Sequence, residues 1–102
     1  MSTLETNLGE AMAQSLSVTD DALAVDLTDG RTITVPLVWF PRLLQATPDE
    51  RMKWRFIGAG EGIHWPDLDE DISVESLLAG RRSGETQESL RRWLNTRAAA
   101  SR

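Results

Sequence analysis

The sequence contains no cysteine and only one histidine, His64. Without cysteine, the chain can form neither a disulfide framework nor a thiolate metal site, and this composition fits a reducing compartment. No apolar run approaches the ~18 residues that a membrane-spanning helix needs. Residues 1–10 also lack the basic start and the apolar centre of a secretory signal. We therefore expect a cytoplasmic protein that makes no membrane contact.

The 102 residues, of which 40% are hydrophobic, are enough for one small domain with one modest core. The net charge of −5 is unevenly distributed along the chain. Residues 1–80 carry fourteen acidic and five basic side chains, whereas residues 81–102 carry two glutamates and six arginines. A basic extension of this kind can contact nucleic acid or an acidic protein face, or it can simply be solvated.

Alternating apolar residues predict an antiparallel meander of three strands between Ser15 and Leu37. Its register follows from parity, because opposed residues must place their apolar side chains on one face. The second hairpin needs a three-residue loop ending at Gly30, since a two-residue loop would send its apolar rows to opposite faces. We predict a type I turn with a G1 bulge and a left-handed glycine. The predicted pairs are Leu16 with Val25, Val18 with Leu23, Val25 with Ile33, and Leu23 with Val35.

The middle of the chain predicts short helical segments. Residues 37–44 are too apolar for an exposed loop, and we expect them to cross the core, with Pro41 opening a helical turn. Thr47 is predicted as a helix cap, and Glu50 can close a capping box with it. This helix is expected to end near Lys53.

A second, shorter hairpin is predicted after that helix. Residues 54–57 form its first strand, glycines at positions 58, 60 and 62 provide the turn, and Ile63 with Trp65 forms the returning strand. Ser73 is then predicted to cap a short helix that Gly80 closes.

The C-terminal segment predicts one more helix, over residues 87–98. Its narrow apolar stripe of Leu90, Trp93 and Leu94 must dock either on its own domain or on another chain. The complete prediction is an α+β protein with a three-stranded meander, a second short hairpin, two or three short helices and a C-terminal helix. We divide the chain into a mobile leader (1–13), a single α+β domain (14–80) and a basic helical tail (81–102).

The run from Gly62 to Ile72 concentrates the reactive groups of the chain. Histidine and carboxylates together can hold a divalent cation, but the run lacks the glycine and glutamate that a calcium loop requires. The carboxylates can instead precede a helix start, where negative charge meets the positive end of the helix dipole. We therefore predict no metal and no cofactor. The groups concerned are His64, Asp67, Asp69, Glu70 and Asp71.

Enzymatic hydrolysis would need paired carboxylates with separate roles, or a nucleophile with a neighbouring base. Only one histidine is present, and no serine has the sequence context of a nucleophile. We therefore predict that the protein is not an enzyme.

Basic and aromatic residues alternate over positions 51–56, which superficially suggests a surface for single-stranded nucleic acid. Fourteen acidic side chains in the same body argue against strong phosphate binding. We favour a core position for the aromatic residues Trp54 and Phe56, with Arg51, Lys53 and Arg55 on a charged outer face.

Three segments carry recognisable motifs: Leu-Thr-Asp-Gly-Arg at 27–31, Pro-Leu-Val-Trp-Phe-Pro-Arg-Leu at 36–43, and Ile-His-Trp-Pro-Asp-Leu-Asp-Glu-Asp-Ile-Ser at 63–73. Together they resemble the bacterial family called domain of unknown function 2442 (DUF2442), and the last motif is the specific one. The resemblance covers about Ser15 to Gly80. It implies a small α+β protein with no established activity.

Members of that family often lie beside a second small protein in an arrangement interpreted as toxin and antitoxin. Some members carry a helix-turn-helix DNA-binding segment. The single helix expected after Gly80 is too little for that motif, so the resemblance does not extend to direct operator binding by this chain.

The leading hypothesis is a non-enzymatic protein-binding module, an antitoxin-like partner of a small basic toxin protein. Two alternatives stay open. One is a DNA-associated transcriptional regulator that dimerises through the C-terminal helix, and the other is a small-ligand or metal-dependent enzyme using His64, Asp67, Asp69 and Asp71. The expected partner contacts are Arg42, His64, Asp67, Asp69, Glu70 and Asp71, with Arg91, Arg92 and Trp93 as a second contact.

Overall fold

The computed structural model describes residues 11–100, which form two three-stranded antiparallel sheets that follow one another along the chain. This arrangement confirms the α+β prediction. The strands are β1 (Ala13–Val18), β2 (Ala22–Leu27) and β3 (Thr32–Pro36) in the first sheet, and β4 (Arg55–Ile57), β5 (Gly62–Trp65) and β6 (Glu70–Ser73) in the second. The helices are a 3₁₀ turn (Leu37–Trp39), α1 (Pro41–Leu44), α2 (Pro48–Met52), α3 (Val74–Leu78) and α4 (Gln87–Ala100).

The register of the first sheet confirms the parity argument. The observed partners include all four predicted pairs, Leu16 with Val25, Val18 with Leu23, Val25 with Ile33, and Leu23 with Val35. The loop between β2 and β3 ends at Gly30, whose φ is +95°, and the Gly30 N–H donates to Leu27 O at 3.1 Å. A left-handed backbone is strained for residues with a Cβ, so glycine is the inexpensive choice at this position.

Strand β1 begins at Ala13, two residues before the expected Ser15. Ala13 is buried, and its N–H donates to Gly60 O at 2.8 Å, a contact that joins the two sheets. Gly60 has a φ of +110°, and a Cβ there would lie 2.5 Å from Ala13 O. Only glycine permits this approach. Residues 1–10 of the predicted leader lie outside the described residues.

The segment between the two sheets forms the short helices that the sequence predicts. Pro41 is the first residue of α1, as predicted. In α2, Thr47 accepts a hydrogen bond from the Glu50 N–H, and the Glu50 carboxylate accepts one from the Thr47 N–H, which is the predicted capping box. The helix ends at Met52, with Lys53 as its C-terminal cap.

The second sheet differs from the predicted hairpin because it has a third strand. The carboxylates around Glu70 were expected just before a helix, but Glu70–Ser73 forms β6 and pairs antiparallel with β5. Ile72 is the only apolar residue of β6, so the strand has too little alternation to be recognised alone. Ser73 does cap the next helix, with Oγ accepting from the Ser76 N–H at 3.0 Å.

Apolar residues from both sheets and from the connecting helices form one core. The largest fully buried side chain is Trp65, and Arg51 is the one buried charged residue among those described. The apolar stripe of α4 docks on this core through Trp93. None of the helices within residues 11–100 is long and apolar enough to cross a membrane.

Candidate functional site

The candidate site is built on the turn between β5 and β6, residues 66–69. Leu68 is fully buried, and its N–H donates to Trp65 O at 3.2 Å, which anchors the turn to the core. Asp67 and Asp69 flank Leu68 and are exposed. Asp69 has a φ of +49°, a left-handed conformation that aspartate tolerates better than most residues. The turn therefore holds two carboxylates outside a buried leucine.

Arg42 fixes the turn from its carbonyl side. Its Nη1 donates to Leu68 O at 3.0 Å and to Asp69 O at 3.4 Å. Its Nε and Nη2 form an ion pair with the carboxylate of Glu85. The guanidinium also lies 5.1 Å from the ring centroid of Trp93. Arg42 was predicted as a partner contact, but in this structure its donors serve contacts within the chain.

Trp93 lies between two arginines and connects α4 to the body. Arg97 stacks on the Trp93 ring at 4.5 Å and forms two hydrogen bonds with the Glu50 carboxylate, at 2.7 and 2.8 Å. Arg97 lowers the pKa of Glu50 to about 2, although partial burial opposes this effect. Trp93 is half-buried, whereas Arg91 and Arg92 are exposed. Of the three residues predicted as a second partner contact, Arg91 and Arg92 are therefore the ones exposed to solvent.

His64 and Asp71 face each other across β5 and β6 on the outer face of the second sheet. Asp71 accepts a hydrogen bond from the Nδ1–H of His64. The Asp67 carboxylate does not join this pair but lies 3.6 Å from the ammonium group of Lys53. Among residues 11–100, no group of three histidine, aspartate or glutamate side chains is close enough to hold a metal ion. The cluster suggested for a metal or an enzyme is thus not brought together.

Glu70 is the most perturbed carboxyl of the site. Strand alternation places it on the same face as Ile72 and opposite buried Trp65, and this face is directed toward the core. Burial raises the pKa of Glu70 to about 7, and the neighbouring carboxylates of Glu85 and Asp71 act in the same direction, while the charge of Arg42 lowers it. Glu70 therefore carries a proton part of the time at neutral pH.

We expect Glu70→Gln to change how stability depends on pH. A carboxyl whose pKa is raised on folding, from 4.5 to about 7, destabilises the native state progressively as pH rises through that interval. Removing it should raise the free energy of unfolding by about 1 kcal/mol at pH 8 and hardly at all at pH 4, after allowance for solvent screening. Urea unfolding across this range measures the effect, with exposed Glu75→Gln as the control. An equal effect at both ends would contradict the assignment.

Polar clefts adjoin Glu70, and sequence analysis did not predict them. One has a volume of about 210 Å³ and the other of about 280 Å³. The first is bordered by β6, Ser76 and residues 81–84, and the second by Arg42, Asp69 and residues 83–85. Residues 81–84 carry no periodic signal, so their position against β6 could not be predicted from the sequence.

The comparisons with known proteins identify a family without an established function. A family model described as "Protein of unknown function (DUF2442)" matches residues 13–83, more than half of the chain. No curated protein matches the chain significantly.

Two solved structures share the fold. A crystal structure of a protein of unknown function from Rhodospirillum rubrum is 28% identical, with a TM-score of 0.62 over 78% of this chain and 96% of that one. A solution NMR structure of an uncharacterised protein from Chromobacterium violaceum is 23% identical, with a TM-score of 0.64 over 81% and 79% of the two chains. The latter identity supports a likeness of fold alone.

Proposed function

The chain belongs to the DUF2442 family, proteins of unknown function, and we propose that it is a non-enzymatic, cytoplasmic protein-binding module with an antitoxin-like role. Its partner is a small basic protein. One observation carries the proposal: Asp67, Asp69 and Asp71 are each exposed on a short turn and strand whose backbone is fixed by internal contacts. We call these three residues the acidic turn.

Rigidity supports a role of the acidic turn in binding. Association costs free energy whenever a loop must be ordered, so a surface that is already held in place loses less on binding. Leu68 in the core and Arg42 on the carbonyls of the turn supply that order before any partner arrives. Arg42 is thus a positioning residue for the carboxylates rather than a contact of its own.

Charge supports a basic partner. Exposed carboxylates steer positively charged surfaces and accelerate association, and they disfavour acidic competitors. The exposed arginines of α4, Arg91 and Arg92, offer a second contact of opposite sign. A partner that is basic overall with a local acidic site would match both surfaces.

The test is affinity capture of the tagged full-length protein from native lysate, with and without nuclease, followed by mass spectrometry. We expect one small basic protein at stoichiometric yield that survives nuclease treatment. Its affinity should fall about tenfold in Asp69→Asn/Asp71→Asn, because exposed charge pairs contribute up to about 1 kcal/mol each. A matched variant, Asp21→Asn/Glu88→Gln, removes two exposed carboxylates elsewhere and should bind normally. A loss of less than about twofold in the first variant would remove the acidic turn from the interface.

The DNA-associated regulator remains the second candidate because four arginines are exposed in the described part of the C-terminal segment, Arg81, Arg82, Arg91 and Arg92. A regulator of this kind would be recovered with nucleic acid, and nuclease treatment would release the proteins that co-purify with it. Its binding would also weaken steeply with salt, since arginine contacts to phosphates release counterions. Arg91→Gln/Arg92→Gln should then reduce DNA binding while leaving capture of a protein partner largely intact.

A further inference from the structure

A groove runs along the outer edge of β6. The two polar clefts beside Glu70 adjoin each other, because Glu70, Ser83 and Gly84 line both. All four residues of β6, from both faces of the sheet, line the first cleft. Since residues of opposite faces meet only at the edge of a strand, the groove follows the edge itself.

The edge of β6 offers unpaired backbone groups to this groove. In an antiparallel pair, residues alternate between positions that exchange hydrogen bonds and positions that do not. The Val74 N–H donates to Glu61 O at 2.9 Å, which places Ile72 and Glu70 at bonded positions opposite β5. The backbone groups of Asp71 and Ser73 therefore point away from β5. β6 is an edge strand, with no further strand beside it in the described part of the chain.

The opposite wall of the groove is held in place. The Ser83 N–H donates to Trp39 O at 3.0 Å, and the guanidinium of Arg82 lies 4.9 Å from the Trp39 ring centroid. The Arg81 N–H donates to Ser76 O at 3.0 Å. At about 3.3 Å per residue, the four residues of β6 can pair with an extended segment of similar length.

The charge of Glu70 limits which segments can pair with this edge. Glu70 lines both clefts, and the Asp71 N–H near its carboxyl group opposes the rise of its pKa on burial. Inward-facing charges of this kind protect exposed edges from indiscriminate pairing. A segment with a positive side chain can form an ion pair with the Glu70 carboxylate, whereas an apolar or acidic segment cannot.

We propose that this groove binds an extended, lysine- or arginine-bearing segment of the partner protein, which adds to β6 as a strand and places its positive side chain beside Glu70. This inference rests on the proposed function, because it assumes a basic protein partner and locates part of its contact. Backbone pairing with Asp71 and Ser73 would supply affinity, and Glu70 would supply the preference for a basic residue.

The test uses the full-length protein and three capped seven-residue peptides of alternating threonine and valine, with lysine, glutamine or glutamate at the centre. Titration is followed by the backbone amide signals in NMR. The lysine peptide should shift the amides of Asp71, Ser73 and Gly84 and bind about tenfold more tightly than the glutamate peptide. Equal binding of the lysine and glutamate peptides, or no shift at these amides, would overturn the inference.

A matched pair of variants tests strand addition itself. Asp71→Pro and Asp71→Asn both remove the carboxylate, but only proline removes the outward N–H. Asp71→Pro should bind the peptide at least about tenfold more weakly than Asp71→Asn, whereas equal binding by the two variants would refute strand addition. Glu70→Gln provides a test if the proline variant does not fold, because it should abolish the preference for lysine over glutamine.

The pH dependence of peptide binding gives an independent readout. The charged groups that surround Glu70 or line the groove with it are Arg42, Asp69, Asp71, Arg81, Arg82 and Glu85. A lysine beside Glu70 favours its ionised form, so binding should release a proton and strengthen as pH rises from about 6 to 8. A pH-independent affinity for the lysine peptide would contradict the role of Glu70.

The two proposals fail separately. If lysate capture yields a basic partner that depends on the acidic turn, while no peptide shifts the amides of β6, then the groove is refuted and the proposed function stands. If the lysine peptide binds as described but no basic partner is captured, the groove is supported and the antitoxin-like role is refuted.

Discussion

Arg51→Ala should lower the free energy of unfolding by about 3 kcal/mol, because it removes a buried side chain together with its hydrogen bonds to two carbonyl groups at the end of α1. Arg51 is only 8% exposed. Its Nε donates to Leu43 O at 2.9 Å and its Nη2 to Leu44 O at 3.0 Å, which satisfies the last carbonyls of α1. Helix ends that are buried without such partners are strongly disfavoured. Urea denaturation of the purified variant measures the loss.

The ion pair of Arg51 should contribute much less than these carbonyl contacts. Nη1 lies 2.7 Å from the Asp20 carboxylate, but that side chain is 90% exposed. Pairs with a solvated partner are worth at most about 1 kcal/mol. Asp20→Asn should therefore cost well under half of the Arg51→Ala effect, and exposed Arg55→Ala should cost little. Equal losses for Asp20→Asn and Arg51→Ala would show that the ion pair, rather than the carbonyl contacts, dominates.

Arg51 also illustrates where sequence analysis was wrong. Strand-like alternation over residues 51–56 placed Arg51 on a charged outer face with Lys53 and Arg55. Residues 48–52 are helical, so the alternation before Lys53 has no structural meaning. Trp54 and Phe56 are half-buried, and their ring centroids lie 5.0 Å apart at the border of the core. The helix start at Thr47 was predicted correctly because its capping residues are close in sequence. The burial of Arg51 depends instead on its contacts with α1, which no local pattern encodes.

Local physics made the first sheet predictable. Period-two alternation fixes which residues share a face, and the requirement for Gly30 in a left-handed conformation then fixes the loop length and the register. Capping of α2 by Thr47 and of α3 by Ser73 depends on residues three positions apart, so it is equally visible.

The candidate site could be predicted only in part, because its important contacts span long stretches of sequence. The acidic turn was recognised from composition, and its three aspartates are exposed. The contacts of Arg42 with Leu68 and Glu85 join residues 26 and 43 positions apart, and no local pattern encodes them. β6 was missed for a different reason: its own alternation is too weak to reveal a strand, which is defined by its pairing with β5.

Trp65→Ala should be the most destabilising substitution in the second sheet, with a loss of about 4 kcal/mol. Trp65 is fully buried, so alanine would leave a large cavity in the core. Its Nε1–H donates to Arg51 O at 3.1 Å, and this carbonyl would lose its side-chain donor. Trp65→Phe keeps most of the volume and should cost about 1–2 kcal/mol for the lost hydrogen bond. Chemical denaturation with Met52→Ala, a 76% exposed site, as the control separates these effects.

The same tryptophan links stability to recognition, because Trp65 O accepts the N–H of Leu68 that anchors the acidic turn. That contact is made by the backbone, so Trp65→Phe should leave the turn in place and bind the captured partner as tightly as the wild type while unfolding more readily. Asp69→Asn/Asp71→Asn should show the opposite pattern, with nearly unchanged unfolding and weakened binding. If Trp65→Phe weakened binding as much as the aspartate variant under conditions where both are folded, the carboxylates would not be the specific determinants of recognition.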